Sequence, residues 1–290
     1  MSSINFRGGF SDRSGISPIS TEIQITTINA RTRISLYNYL KHFYKKCVYD
    51  YPKFTNTQGF CYYLLSNVFV ELIDDDYIHE DIVWTMIKNS IISGTYDEVL
   101  TIIEAVAIGL NAYKKYESRN RKIFNELNDL FKREFLGYRF IDCKINRISD
   151  EDEVTAINDA LFNSENIVVD HLRKSLNFLS DRINPDYENS IKESITAVEA
   201  KCSIVTEATG KHSTLGNTLK HLKDSGIEIH GSLELGFEKL YGYTNDGKGL
   251  RHAGDIGGPD ATFKEAKFML VACCAFVNYL TEAQSEIESE

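Results

Sequence analysis

Proline is scarce in this chain. Four occur in 290 residues, at positions 18, 52, 185 and 259. Long proline-free stretches suit helices, because proline removes a backbone donor and clashes with the preceding turn. Paired cysteines are missing as well. Cys47, Cys61, Cys143, Cys202, Cys273 and Cys274 include no C-x-x-C pair, so metal-ligand spacing is absent and no metal is expected. No G-x-x-x-x-G-K-[ST], H-E-x-x-H or G-x-S-x-G string occurs, and no alternation of strands and helices marks a nucleotide-binding sheet. An ATPase or a zinc hydrolase therefore lacks its residues, and no cofactor is expected. Basic charge is in deficit: the formal net charge is −10. That balance argues against a basic stripe gripping long duplex nucleic acid, while leaving room for a local anion pocket. The start of the chain, "MSSINFRGGFSDRSG", has no apolar run of the signal-peptide kind. The longest such run, Phe268 to Val277, falls short of the ~20 residues that span a bilayer. The expectation is a cytoplasmic protein with reduced thiols and no membrane association.

What is present points to helices. Hydrophobic residues make up 42% and charged residues 26% of the chain, a globular balance. Residues 1–28 read as an irregular arm with a short strand at "EIQITTI". From Ala30, "ARTRISLYNYLKHFYKKCVYDY" sets Ile34, Tyr37, Leu40, Tyr44 and Val48 near one helical face. "GFCYYLLSNVFVELI" is apolar on most sides and predicts a buried helix. "HEDIVWTMIKNSIIS", "YDEVLTIIEAVAIGLNAYKKY" and "NRKIFNELNDLFKREF" follow as further helices, with Glu104 partly buried and expected in a salt bridge. "GYRFIDCKINRIS" alternates and is rich in β-branched and aromatic residues, which predicts a small hairpin turning at "DCK".

Ser149 and Asp152 then read as a capping box, and a domain boundary is placed near residues 145–165. Asn184-Pro185 predicts a helix start, followed by an inward stripe of Ile191, Ile195, Val198, Cys202 and Val205 ending at Gly210. "STLGNTLKHLKDSG" predicts a short helix with Leu215, Leu219 and Leu222 inward and Gly226 as its C′ residue. "GSLELGFEKLYGY" reads as another. Thr262 and Glu265 form a capping box for a last helix running to about Glu282, whose all-round apolar run predicts burial at a bundle centre. The fold class is all-α: two helical bundles, residues 1–150 and 151–290, with a small β-hairpin between them.

Between those last two helices lies "KLYGYTNDGKGLRHAGD". Gly242, Gly247 and Gly249 permit positive φ or a close backbone approach. Arg251 offers fixed donors suited to phosphate oxygens, and His252 titrates near neutrality and can move protons. These two residue types suit metal-independent RNA cleavage. A base deprotonates the 2′-hydroxyl and a cation stabilises the charged phosphorane.

"SITAVEAKC", "TLGNTLKHL", "LYGYTNDGKGLRHAGD" and "EAKFMLVACCAFVNYL", in this order, resemble the HEPN domain of AbiJ-type abortive-infection proteins. "GFSDRSGISPISTEIQITTINARTRISLYNYL" with the later "GYRFIDCKINRIS" resembles the N-terminal domain that accompanies it. The resemblance covers most of the chain. It implies a helical HEPN bundle, a homodimer through that half, and a role in anti-phage defence with RNA as target and a regulatory protein or phage component as trigger. In active members it implies a metal-independent endoribonuclease. Arg251 matches the family's arginine and would stabilise the phosphate, with Glu199 on an earlier helix orienting it. Lys192, Asn245 and Lys248 would contact RNA. The family places its histidine a few residues beyond the arginine; here His252 follows Arg251 directly, and Gly257 stands where a spaced histidine could fall. Two readings stay open: His252 transfers the proton from a shifted position, or the domain binds RNA or a second copy without cleaving. Arg7, Arg13, Arg31 and Arg33 make the N-terminal arm the most basic place in the chain, fit to guide RNA or hold a regulatory partner.

Overall fold

The computed structural model describes residues 7–50, 56–74, 77–112, 122–181, 184–207, 218–219, 221–227, 229–245 and 261–289. The chain forms two compact units, Met1–Ser149 and Asp150–Glu290. The architecture is all-α with one small antiparallel hairpin.

In the first unit a short α1 (Phe10–Arg13) is followed by α2 (Ala30–Asp50), α3 (Thr57–Leu64), α4 (Glu80–Ser93), α5 (Tyr96–Ala112) and α6 (Lys122–Arg133). Strands β1 (Arg139–Ile141) and β2 (Lys144–Asn146) complete it. The stretch expected as a strand at "EIQITTI" reduces to a single parallel bridge between Gln24 and Leu136. Helix α2 starts where the Asn29 side chain accepts the Thr32 N–H at 2.9 Å, an N-cap in function. Its buried stripe is Leu36, Leu40, Phe43, Tyr44 and Cys47. Ile34 lies outside it, 51% exposed, so the inward face is rotated from the one its apolar letters suggested. Tyr44, Phe60 and Trp84 pack ring against ring at the centre of this core.

The segment after Gln58 departs most from expectation. It is not one buried helix. Helix α3 passes into a π-helical turn, Leu65–Phe69, and stops at Val70, whose φ of 54° is left-handed. Ser66 and Asn67 hydrogen-bond back to the Tyr62 and Tyr63 carbonyls, a local competition with the helical ladder. Beyond the break, Val70 and Leu72 are 79% and 89% exposed.

The hairpin forms as read. Its turn residues Asp142 and Cys143 both have positive φ, the two-residue geometry that matches strand twist. The Asn128 amide brackets Phe140, donating to its carbonyl and accepting its N–H. Glu104 is half-buried on α5 and its carboxylate accepts the Ile145 N–H. The acid expected to form a salt bridge thus pins the hairpin.

The second unit contains α7 (Glu151–Asn163), α8 (Asn166–Ser180), α9 (Tyr187–Val205), α10 (Gly231–Asn245) and α11 (Phe263–Ser289). Helices α8 and α11 pack on α9, and α7 packs on α11. Three helix ends differ from the sequence reading. The α7 cap is Asp150, whose carboxylate accepts the N–H groups of Asp152 and Glu153, in place of Ser149. The α9 cap is Asp186, accepting from Asn189, two positions beyond Asn184. Helix α9 ends at Val205, with Glu207 already at φ +52°, and Gly210 lies outside the described residues. Short polar side chains compete for a cap within a residue or two, and the one that reaches the N2 or N3 donor takes it. Gly226 is a C′ glycine as expected: its φ is +86° and the Ile227 N–H reaches back to the Leu222 carbonyl. Leu219 and Leu222 are buried; Leu215 lies outside the described residues.

The last helix extends beyond Glu282 to Ser289. Its capping box is present, with the Thr262 N–H donating to Glu265 Oε2 at 2.8 Å and the Glu265 N–H to Thr262 Oγ1 at 3.4 Å. Its apolar run is not buried all round. Met269, Leu270, Cys273, Cys274, Phe276, Val277 and Leu280 face inward, whereas Phe268 is 57% and Tyr279 is 37% exposed. By length and composition Phe263–Ile287 would suffice to cross a membrane, although its unbroken apolar run is short. One side of it packs on α7, α8 and α9.

Candidate functional site

The sequence places its candidate site on the segment that joins α10 to α11, with further candidates on α9. Helix α10 ends at Asn245 and α11 begins at Phe263. Lys248, Arg251 and His252 fall on the segment between them, outside the described residues. Helix α10 includes Gly242 and Tyr243, as its sequence predicts, and continues two residues further through Thr244 and Asn245. Phe237 of α10 stacks on Phe276 of α11, with centroids 3.6 Å apart. The exit of the segment is fixed by the Thr262–Glu265 box. There Phe263 meets Tyr187 at the start of α9, edge to face, at 6.1 Å.

Helix α9 carries the two described candidates. Lys192 and Glu199 are both half-buried, which is the border of the Ile191, Ile195, Val198 and Cys202 stripe. Lys192 Nζ reaches Asn189 Oδ1 at 3.5 Å, a long contact that leaves its ammonium able to take another acceptor. Counted along α9 at about 1.5 Å per residue, Lys192 is about 8 Å and Glu199 about 18 Å from Tyr187, the residue that meets Phe263. Lys192 is thus the candidate nearer that end. Glu199 lies one turn from Cys202, whose thiol burial pushes up to about 12; the Glu199 carboxylate adds to that push and a hydrogen bond with Thr218 opposes it. Glu199 is therefore placed at the edge of the core among α9 and the Thr218 turn.

The same bundle contains polar groups the sequence reading missed. Lys201 is buried; its ammonium donates to Glu165 Oε1 and Gln284 Oε1, both at 2.9 Å. It ties α9 to α11 and to the residue before α8. Ser175, Ser190 and Ser194 are fully buried and hydrogen-bonded together, Ser175 Oγ lying 2.7 Å from Ser194 Oγ. His171 Nδ1 lies 2.6 Å from Glu193 Oε2 across α8 and α9. The signal for Lys201 was present: a lysine three residues after Val198 and next to Cys202, on the apolar side of "AVEAKCSIV". A buried charge needs a partner, and neither Glu165 nor Gln284 is near it in sequence.

The arginines of the N-terminal arm are engaged within the first unit. Arg33 donates to the carbonyls of Ile28, Ile91 and Gly94 at 2.7–2.8 Å. Arg31 grips Glu134, itself 1% exposed, with Nε at 2.9 Å. Arg13 donates to the Gly8 carbonyl. Arg31 thus ties α2 to Glu134, just after α6, and Arg33 ties it to the end of α4, a structural role for both.

Comparison with known proteins gives one family. Residues 8–163 match the family model of AbiJ N-terminal domain 4. The match covers more than half of the chain and runs through the hairpin to the last residue of α7. The chain belongs to this AbiJ family, and abortive-infection defence is the context the family suggests. No curated protein and no solved structure matches.

Proposed function

We propose that this chain is an anti-phage abortive-infection protein whose second unit is a HEPN-type, metal-independent endoribonuclease. The supporting observation is the helical bundle whose α10 and α11 precede and follow the Arg251-His252 segment in the chain. Two helices packed through Phe237 and Phe276 bracket it, and α9 presents a half-buried Glu199 and Lys192 from the same bundle. In this reaction His252 takes the proton from a ribose 2′-hydroxyl. The freed oxygen attacks the adjacent phosphorus, the P–O5′ bond breaks, and the departing O5′ takes a proton from water. The products are a 2′,3′-cyclic phosphate and a 5′-hydroxyl. Arg251 stabilises the charged phosphorane, Glu199 orients Arg251, and Lys192, Asn245 and Lys248 hold flanking phosphates. The cell would carry this activity in its cytoplasm, held off until a phage component or regulatory protein acts.

A second reading is favoured by two observations: the absence of a spaced histidine and the exposed stripe on α11. Phe268, Ala275 and Tyr279 are exposed along one side of that helix. In this reading the second unit forms a homodimer through α11 and binds RNA or a partner without cutting. The experiment that separates the two is incubation of purified chain with total RNA and tRNA in EDTA, with RNA ends mapped. Cyclic-phosphate ends that vanish in Arg251→Ala establish the nuclease; intact RNA with a concentration-dependent dimer establishes the binding module.

A further inference from the structure

Three guanidinium groups converge on one buried carboxylate in the first unit. Glu134 follows the last residue of α6 and its side chain is 1% exposed. Arg31 takes it with two nitrogens, Nε at 2.9 Å and Nη2 at 3.4 Å. Arg7 approaches the Glu134 Oε2 atom only to 3.7 Å, and Arg133 reaches Oε1 at 3.5 Å. One carboxylate is thus satisfied by one arginine, and two more stand against it beyond good hydrogen-bond distance.

The contacts of Arg7 leave one of its N–H groups without an acceptor among the described residues. Both terminal nitrogens share the Ser20 carbonyl at 3.2 Å. Its plane lies over the Phe135 ring, 4.9 Å from the centroid. Its Nε is buried and has no acceptor among the described residues. Phe135 is itself fixed: it takes the left-handed C′ position of α6 at φ +56°, and the Leu136 N–H closes on the Phe131 carbonyl. Arg133 extends outward, 63% exposed, beside the exposed Lys132. Asp12 also lies close enough to feel the Arg7 charge, and its oxygens accept the N–H groups of Gly8 and Ile19. A guanidinium stacked on an aromatic with one N–H unfilled, and a second one reaching out from the same carboxylate, are the donor types a tetrahedral oxyanion takes.

We propose that Arg7 and Arg133, braced by the Arg31–Glu134 pair and Phe135, form a phosphate-binding site on the first unit, occupied by a phosphoryl group of a nucleotide or of RNA. The site lies entirely within the first unit and is independent of cleavage by the second. It gives this unit a ligand through which infection can be sensed.

The test uses the full-length chain with two probes: ATP by calorimetry, and a fluorescein-labelled single-stranded RNA by anisotropy. The variants are Arg133→Gln, Arg7→Gln, the double variant and Arg133→Lys. Arg133 is exposed and its one close ion-pair contact is long, so Arg133→Gln keeps the wild-type melting temperature. It is expected to weaken binding of one or both probes about fivefold, the double variant more than about twentyfold, and Arg133→Lys only slightly. ATP binding with weak RNA binding identifies a mononucleotide; the reverse identifies an RNA backbone. Arg251→Ala leaves binding at this site unchanged. The proposal is overturned if wild type binds neither probe at about 1 mM, if the double variant binds both as wild type does, or if Arg251→Ala alone removes the binding.

Discussion

Replacing Lys201 by Met tests whether the second unit is organised around a buried charge. The Lys201 side chain is 2% exposed and Glu165 is 36% exposed. Loss of the ammonium removes two charge-assisted hydrogen bonds, each contributing roughly 1.5 kcal/mol net. It also strands Glu165, whose second oxygen is already buried without a hydrogen-bond partner. Breaking a fully buried pair costs about 3–5 kcal/mol, but Glu165 can turn towards water, and the methionine thioether gains apolar contact worth about 1 kcal/mol. The net expectation is a loss of about 2 kcal/mol, or roughly 7 °C in the melting temperature of this unit. Adding Glu165→Gln removes the stranded charge and recovers about half. Far-UV circular dichroism follows the helices of both units, while the sole tryptophan, Trp84, reports the first unit only. The dichroism transition should fall, with the tryptophan fluorescence midpoint unmoved. An unchanged dichroism transition in Lys201→Met, or no recovery in the double variant, would refute the reasoning.

Val70→Gly is expected to raise the stability of the first unit by up to about 1 kcal/mol, read by Trp84 fluorescence in urea, because a β-branched residue at φ 54° is strained and its exposed side chain loses no packing. Thr262→Ala should cost the second unit about 1 kcal/mol by dismantling the α11 cap, seen as a lower dichroism midpoint. Titration with a disulfide reagent at pH 8 should detect one thiol, Cys143, in the native chain and all six in denaturant, since the other five are buried. Burial pushes the Cys61, Cys202 and Cys273 thiols up to about 12 from 9.0. A raised folded value means protons bind the folded chain more tightly. Their contribution is whole below pH 9 and is lost as pH rises towards 12, so the urea midpoint should fall across that window.

Much of this fold was legible because it is written in local periodicity. The helices α4, α5 and α6, the Asp142-Cys143 turn and the Thr262–Glu265 box each depend on residues a few positions apart. What was not legible depends on distant partners. Ile34 and Leu36 are equally apolar, and only the position of α4 and α6 decides which faces inward. The break after α3 arises from Ser66 and Asn67 returning to their own helix, which an apolar count does not register. Lys201 needs Glu165 and Gln284, and Arg31 needs Glu134, pairs that no spacing announces. Of the candidate site, the half-buried positions of Lys192 and Glu199 followed from the helical wheel of α9. The end of α10 at Asn245 falls two residues past Tyr243, where the sequence ended that helix, because Thr244 and Asn245 continue its last turn.

The central claim is that Arg251 meets an RNA phosphate during strand cleavage. Its most direct test is to incubate wild type and Arg251→Ala with labelled single-stranded RNA in EDTA and map the ends. The account predicts 2′,3′-cyclic phosphate and 5′-hydroxyl ends from wild type and none from the variant. Equal cleavage by both proteins, or cleavage that requires a divalent cation, would contradict it.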